Sequence, residues 1–334
     1  MDKNIKILVG YHKPSYLLKN NIFVPIHLGR AIATQASKDG TITNDELQWL
    51  IKNTIGDDTG DNISLKNREY CECTALYWAW KNYEDLGNPD YIGFMPYRRH
   101  FILKDDFIKK NDLTINEKAY STRYIVYPPN NYVDFLGLNY SNLCYILNKH
   151  NGIYIKQGDL SIYNKHIKKQ RDDYYKNISG LNVKDFDLMI NIATKTYPYM
   201  EEYIIQRSTQ QYKSCFQMWI LPKKYFFLYM EFLFSILFKC ERYIDVSNYS
   251  INGKRTIGYL AELLYDYFMN FYKAQYNLMS VNACFVKYTN LYKYSHNLYK
   301  FRFYYFLYSI ALKITRKIPL LYSVLQFLKK MSKG

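Results

Sequence analysis

The chain opens on a short apolar run, Ile5 to Val9 in IKILVG, which stops at Gly10 and gives way to the polar YHKPSY. A buried strand that ends in a glycine and a polar loop is a common start of an α/β domain. VPIHLGRAIATQA, residues 24–36, predicts a short helix, and IGDDTGDNISLKN, residues 55–67, a polar loop. From Glu69 to Leu86 the apolar residues Ala75, Trp78, Ala79 and Tyr83 recur at helical spacing, and Gly87, Asn88 and Pro89 end the helix they predict. YIGFM, residues 91–95, is the next strand and runs directly into PYRRHF. RYIVYPP, residues 123–129, predicts another strand, closed by its two prolines.

Residues 135–210 are polar and largely helical in pattern. KSCFQMWILPKKYF, residues 213–226, reads as a strand and turn. Two strong helices follow. FFLYMEFLFSILFKCERYI, residues 226–244, is apolar enough to pack against a core. GKRTIGYLAELLYDYFMNFY, residues 253–272, gives an amphipathic helix starting near Thr256. From about residue 285 aromatic and apolar stretches alternate with Lys and Arg, and Pro319 divides them into amphipathic helices near 301–314 and 320–331. The expected organisation is one α/β domain over 1–284 and a basic aromatic tail over 285–334, with no internal repeat.

Composition adds three points. At 334 residues and 49% hydrophobic, the chain can build a substantial core. Its 38 tyrosines fit an A+T-rich coding sequence, so single Tyr, Lys and Asn residues carry little signal. The formal charge of +16 is unevenly spread: after Asp266 come eleven Lys or Arg and no acidic residue. A basic aromatic-apolar tail suits an anionic membrane surface, and it is too apolar for a nucleic-acid groove.

The N-terminal run reads as a strand rather than a secretory leader. No run is long enough to cross a bilayer: Phe303 to Leu312 is bracketed by Arg302 and Lys313. The six cysteines, with only Cys71 and Cys73 close together, form neither a zinc pattern nor a disulfide framework.

Two stretches carry candidate chemistry. Arg98 and Arg99 follow a buried strand, so they belong at the carboxyl edge of a sheet, where α/β folds bind ligands. Their guanidinium forks match phosphate oxygens. GDDTGDNIS gathers Asp57, Asp58 and Asp61, which suit Mg²⁺ or Mn²⁺, or the hydroxyls of a sugar or ribose. The same residues also make an ordinary turn with a capping Ser64. Neither a Walker loop nor a G-x-G-x-x-G fingerprint is present, and neither is G-x-S-x-G or H-E-x-x-H.

Taken in order, YHKPS, VPIHLGRAIA, IGDDTGDNISLKN, EYCECTALYWAWKN, DYIGFMPYRRHF, FQMWILPKKYF and RTIGYLAELL resemble a bacterial family first labelled a domain of unknown function. That family is now treated as capsular and exopolysaccharide glycosyltransferases, some members being described as galactofuranosyltransferases. The resemblance covers residues 3–270. It implies a GT-A-like fold: a single nucleotide-sugar-binding domain with a mixed central sheet flanked by helices. Where many GT-A enzymes carry a metal-binding DxD, this sequence has Tyr97, Arg98 and Arg99. It departs from the family pattern at Met95-Pro96, where Cys-His is usual, at Cys73 in place of Leu, at Gln217 in place of Asn, and after Glu262, where an Arg is missing.

The resemblance implies roles as follows. Arg98 and Arg99 stabilise the diphosphate leaving group without a required cofactor, the alternative being Mn²⁺ or Mg²⁺ on Asp57, Asp58 and Asp61. Glu262 is the base for the acceptor hydroxyl. Tyr11, His12 and Lys13, with Tyr97, Asp57, Asp58, Asp61 and Asn62, bind the nucleotide-sugar donor, expected to be UDP-linked; Gln217 and Trp219 meet the acceptor. The partners implied are a nucleotide sugar, a lipid-linked saccharide and an anionic membrane, with no nucleic acid. The place implied is the cytoplasmic, inner face of the plasma membrane. The alternative is a non-catalytic peripheral scaffold of a polysaccharide assembly complex.

Overall fold

The computed structural model describes residues 2–104, 115–119, 122–126, 131–162, 166–176, 178 and 180–286. Its strands are β1 (Ile5–Tyr11), β2 (Phe23–His27), β3 (Ile55–Gly56), β4 (Tyr91–Pro96), β5 (Arg99–Ile102) and β6 (Ile115–Ala119). They continue with β7 (Thr122–Val126), β8 (Gly152–Ile155), β9 (Gly158–Asp159), β10 (Tyr212–Lys213), β11 (Trp219–Pro222) and β12 (Leu278–Val286). The main sheet runs β3-β2-β1-β4-β11-β8-β12-β7-β6, with β5 also on β12, while β9 and β10 pair separately. The first four strands of this order are mutually parallel. β11 runs antiparallel to both of its neighbours, which makes the sheet mixed.

The helices are α1 (Asn44–Asn53), α2 (Asn67–Tyr70), α3 (Cys73–Lys81), α4 (Tyr132–Leu136) and α5 (Tyr140–Lys149). After them come α6 (Gln170–Lys176), α7 (Val183–Thr196), α8 (Glu201–Ser208), α9 (Lys223–Glu241) and α10 (Thr256–Tyr272). They cover both faces of the sheet. Alternate residues of each strand point to opposite sides. Leu8, Phe94 and Trp219 therefore join the core under α3, α7, α9 and α10. Ile7, Val9, Met95 and Ile220 join the core under α1, α4 and α5.

The strands at 5–10 and 91–95, the strand and turn after 213 and the helices near 226 and 256 stand where the apolar pattern places them. Two local expectations do not hold. Residues 24–36 hold β2 and a short 3₁₀ turn, Arg30–Ile32, instead of a helix. β2 is recruited by in-register pairing with β1, from Ile7 opposite Phe23 to Tyr11 opposite His27. Pro25 is tolerated because β3 joins β2 only at Ile26 and His27.

The helix expected from Glu69 to Leu86 is broken into α2, α3 and a 3₁₀ turn at Tyr83–Leu86. The break is at Cys71, a non-glycine residue at φ 52°. Asn67 Nδ2 secures it by donating to the Cys71 carbonyl at 2.7 Å.

β12 ends the described chain at Val286, so the tail helices expected near 301–314 and 320–331 lie outside the described residues. No described helix is long and apolar enough to cross a membrane.

Candidate active site

The order β3-β2-β1-β4 places a topological switch point between β1 and β4: the chain leaves β1 toward β2 on one side and returns as β4 on the other. Open α/β sheets bind ligands in the crevice beyond such a point. Here a cavity of about 750 Å³ opens over the carboxyl ends of these strands, bordered by Gly10, His12, His27, Pro96, Tyr97, Arg98 and Arg99. The Tyr97 N–H donates to the Gly10 carbonyl at 3.0 Å, which carries the β1–β4 pairing to the rim. A Cβ at Gly10 would stand 2.9 Å from the Phe94 ring, so glycine is what lets the strands close here.

The two arginines are fixed differently. Arg98 lies over the Tyr97 ring, 5.3 Å from its centroid. Arg99 lies 3.9 Å from the Phe216 ring centre and 5.6 Å from that of Phe285. Its Nε is buried with no hydrogen-bond partner. Burial, and next the charge of Arg98, hold the Arg99 pKa below its ordinary value. A buried guanidinium N–H without an acceptor is costly unless an anion completes it.

Opposite stands a carboxylate group. Tyr259 and Glu262 project from one face of α10 into the cavity, Arg255 enters from the 3₁₀ turn Gly253–Arg255 that caps that helix, and Glu72 comes from the break between α2 and α3. Burial, and then the charge of Glu262, raise the Glu72 pKa to about 7. Arg255 Nε donates to Cys71 Sγ at 3.2 Å and its Nη1 to the Tyr259 hydroxyl at 2.8 Å.

Several sequence candidates lie elsewhere. Asp57 is fully buried and accepts from Gly29 N at 2.7 Å, Arg30 N at 3.0 Å, Ser64 Oγ at 2.6 Å and Thr74 Oγ1 at 2.5 Å. It pins the β2 exit to α3. Gly29, at φ 66°, is required there, because a Cβ would stand 2.4 Å from Asn67 Cγ. Asp61 accepts from the Tyr77 hydroxyl at 3.1 Å, and Asn62 bonds within its own turn to Gly60 O and Ser64 N. None of Asp57, Asp58, Asp61 and Asn62 borders the cavity.

The expected alternative metal set is therefore not assembled. Among the described residues no three His, Cys, Asp or Glu side chains converge as metal ligands.

Tyr11 is buried beneath the site. Its hydroxyl donates to Tyr16 O at 2.8 Å and accepts from Leu18 N, and its ring stacks on Tyr97 at 5.5 Å. His12 and Lys13 do border the cavity, His12 Nε2 lying 3.3 Å from Asp39 and Lys13 Nζ donating to the Asp39 carbonyl. Gln217 and Trp219 are wholly buried. Gln217 donates to the Ala261 carbonyl at 2.7 Å and accepts from the Tyr229 hydroxyl. Trp219 packs against Phe226 and Tyr229. Both hold α10 and α9 to the sheet and neither reaches the cavity.

The structure adds residues that local patterns do not mark: Glu72, Arg255, Tyr259, His27, Lys38 and Phe216. Glu72 is hidden in an apparently continuous helix. Phe216 is set by consecutive positive φ values, 75° at Phe216 and 41° at Gln217. Behind it, Asp266 accepts from Arg207, Gln170 and the Ser214 N–H, which steadies residues 213–215 at the cavity wall. His27 is buried and, by burial and then the Arg30 charge, has its pKa lowered to about 4.

This mixed sheet, with its site at the β1–β4 switch point, is GT-A-like, as the resemblance implies. The chain is similar to the solved structure of WbbM, a bifunctional glycosyltransferase in its apo form, with a TM-score of 0.69 and 29% sequence identity. The similarity covers 85% of this chain but 45% of that one, so the chain spans less than half of WbbM's length. No curated protein sequence matches it. Residues 6–275 match the family described as Domain of unknown function (DUF4422), and the chain belongs to that family.

Proposed function

We propose that this protein transfers a glycosyl group from a nucleotide sugar to a saccharide hydroxyl. One observation carries the reading: Arg99, at the sheet's switch point beside Arg98, keeps a buried Nε with no protein partner. A departing diphosphate gains negative charge as the glycosidic bond breaks, and preorganised positive charge at that place is often the largest catalytic contribution. The carboxylate side of the same cavity, where the resemblance places Glu262, receives the acceptor hydroxyl. Similarity to a protein named as a glycosyltransferase supports the same reaction class.

The finer reading is a UDP-linked hexose, galactofuranose among the candidates, delivered to a lipid-linked saccharide in surface polysaccharide synthesis. The basic sequence after Asp266 supports work at an anionic, cytoplasm-facing membrane, each nearby Lys or Arg contributing about 1 kcal/mol. The deciding experiment is a donor screen. Purified protein is incubated with UDP-, GDP- and TDP-hexoses and alkyl hexosides, and nucleotide release and product are followed. Release from one nucleotide class, with matching glycoside product, is the expected result. Absence of binding and turnover across the panel would favour the scaffold alternative. Full-length protein should also sediment with anionic liposomes, and a chain truncated after Val286 should not.

A further inference from the structure

We infer that Glu72, with Glu262 beside it as a positioning charge, is the group that takes the proton of the acceptor hydroxyl. The inference rests on the transferase reading above and assigns the proton to a residue that the sequence pattern conceals.

The backbone supplies the first argument. The α2–α3 helix is interrupted at Cys71, whose positive φ is uncommon for a side-chain-bearing residue and marks a conformation held by its surroundings. α10 is shaped to receive that kink. At Gly258 a Cβ would stand 2.7 Å from Cys71 Sγ, and Arg255, one turn earlier, donates to the same sulfur. The consequence of the break is that Glu72 borders the cavity together with Glu262, one turn beyond Gly258.

The second argument is how differently the protein treats its fully buried carboxylates, Glu72 and Glu262 being half-buried. Asp57 is saturated by its four donors. Asp173 pairs with Lys213, Asp185 accepts from Tyr249 and Thr256, and Asp266 is held in two places by Arg207. Among the described residues neither Glu72 nor Glu262 is in a direct ion pair. A half-buried carboxylate beside a cavity with no cation paired to it is available to a reacting group.

The charges around Glu72 come from each element packed on it. α10 supplies Glu262 with Tyr259 nearby, the 3₁₀ turn before it supplies Arg255, β5 supplies Arg99, and Cys71 and Cys73 flank it in sequence. Their balance, dominated by burial and Glu262, raises the Glu72 pKa to about 7. A base is most effective when poised near the working pH.

In the step, the ionised Glu72 carboxylate takes the hydroxyl proton as the acceptor oxygen forms its bond to the anomeric carbon. The bond from that carbon to the diphosphate oxygen breaks, and its electron pair leaves on the diphosphate between Arg98 and Arg99. The Glu72 proton is then released to solvent.

The test compares wild type, Glu72→Gln and Glu262→Gln, using whichever UDP-, GDP- or TDP-hexose the wild type turns over and n-octyl hexosides as acceptors. Wild-type kcat should rise with pH through a midpoint near 7. Glu72→Gln should lower kcat by about 10²–10⁴-fold while affinity for the free nucleotide is retained, which also shows that the variant is folded. Glu262→Gln should move the rising limb to lower pH, because the neighbouring negative charge is gone. Wild-type kcat in Glu72→Gln, loss of rate through nucleotide affinity alone, or an unmoved limb in Glu262→Gln would each overturn the assignment and leave the transferase reading standing. Absence of turnover by the wild type with every donor would overturn the transferase reading itself, before any substitution is made.

Discussion

Phe216 lies under the guanidinium of Arg99, its ring centre 3.9 Å from Cζ. The contact fixes the plane of the fork while leaving Nε without a protein acceptor. A flat, delocalised cation stacked in this way is not equivalent to an ammonium on a flexible stem. Arg99→Lys should therefore lower kcat/KM by about 10²–10³-fold, or about 2.7–4 kcal/mol of transition-state stabilisation, with a smaller loss in ground-state nucleotide affinity. Steady-state nucleotide release checks this, and a lysine variant within about threefold of wild type would show that the fork is not what meets the diphosphate.

On the proposal that the arginine pair supplies the positive charge, turnover should survive exhaustive treatment with EDTA and should not rise on adding Mn²⁺. The same nucleotide-release measurement, made on chelated protein with and without added metal, decides it. Abolition by EDTA with recovery in Mn²⁺ would refute the cofactor-free mechanism. The metal would then need ligands other than Asp57, whose acceptor positions are already taken.

Asp57 predicts a loss of stability, because its removal strands two backbone N–H groups and two hydroxyls in a buried place. Each unsatisfied buried group costs about 1–3 kcal/mol, and partial relaxation brings the expected total for Asp57→Ala to roughly 3–5 kcal/mol. At roughly 2–4 °C per kcal/mol for a domain of this size, Tm should fall by about 6–20 °C. Asp61→Ala, at an exposed turn, should stay within about 0.5 kcal/mol of wild type. Thermal melts of the two variants side by side test whether the loop aspartates are structural; equal Tm values would refute that view.

What the sequence made legible follows from the range of the forces involved. β1, β4, α9 and α10 are long or strongly apolar, so local periodicity identifies them, and the run from β4 into Arg98 and Arg99 points to the sheet's edge. β2 was hidden because its pairing partner, β1, lies a loop away, and short-range pattern favoured a helix. Glu72 was hidden because the break at Cys71 depends on Asn67 and on α10, far along the chain. Gln217 and Trp219 illustrate the converse. Their strand was readable, but which face of it meets the cavity was not, and both turned out to hold the core.

The histidines give the last prediction. His100 is wholly buried on β5, its Nδ1 2.6 Å from the Tyr132 hydroxyl and its Nε2 without a partner. Burial lowers its pKa to about 3, and burial with the Arg30 charge lowers that of His27 to about 4. An unfolded chain takes up protons at both residues near pH 6.5, whereas the folded chain resists them. The stabilisation is thus complete above about pH 6.5. It is lost as pH falls, through about 4 for His27 and about 3 for His100, at up to about 1.4 kcal/mol per pH unit for each. Glu72, whose pKa is raised, contributes a slope of opposite sign, so the informative quantity is a difference between variants. His100→Gln cannot take up that proton. Whatever its absolute stability, its unfolding free energy should fall less steeply than that of wild type between pH 6.5 and 4.5 in urea titrations. Parallel slopes for the two proteins would mean that His100 is protonated equally in the folded and unfolded states, contrary to its burial.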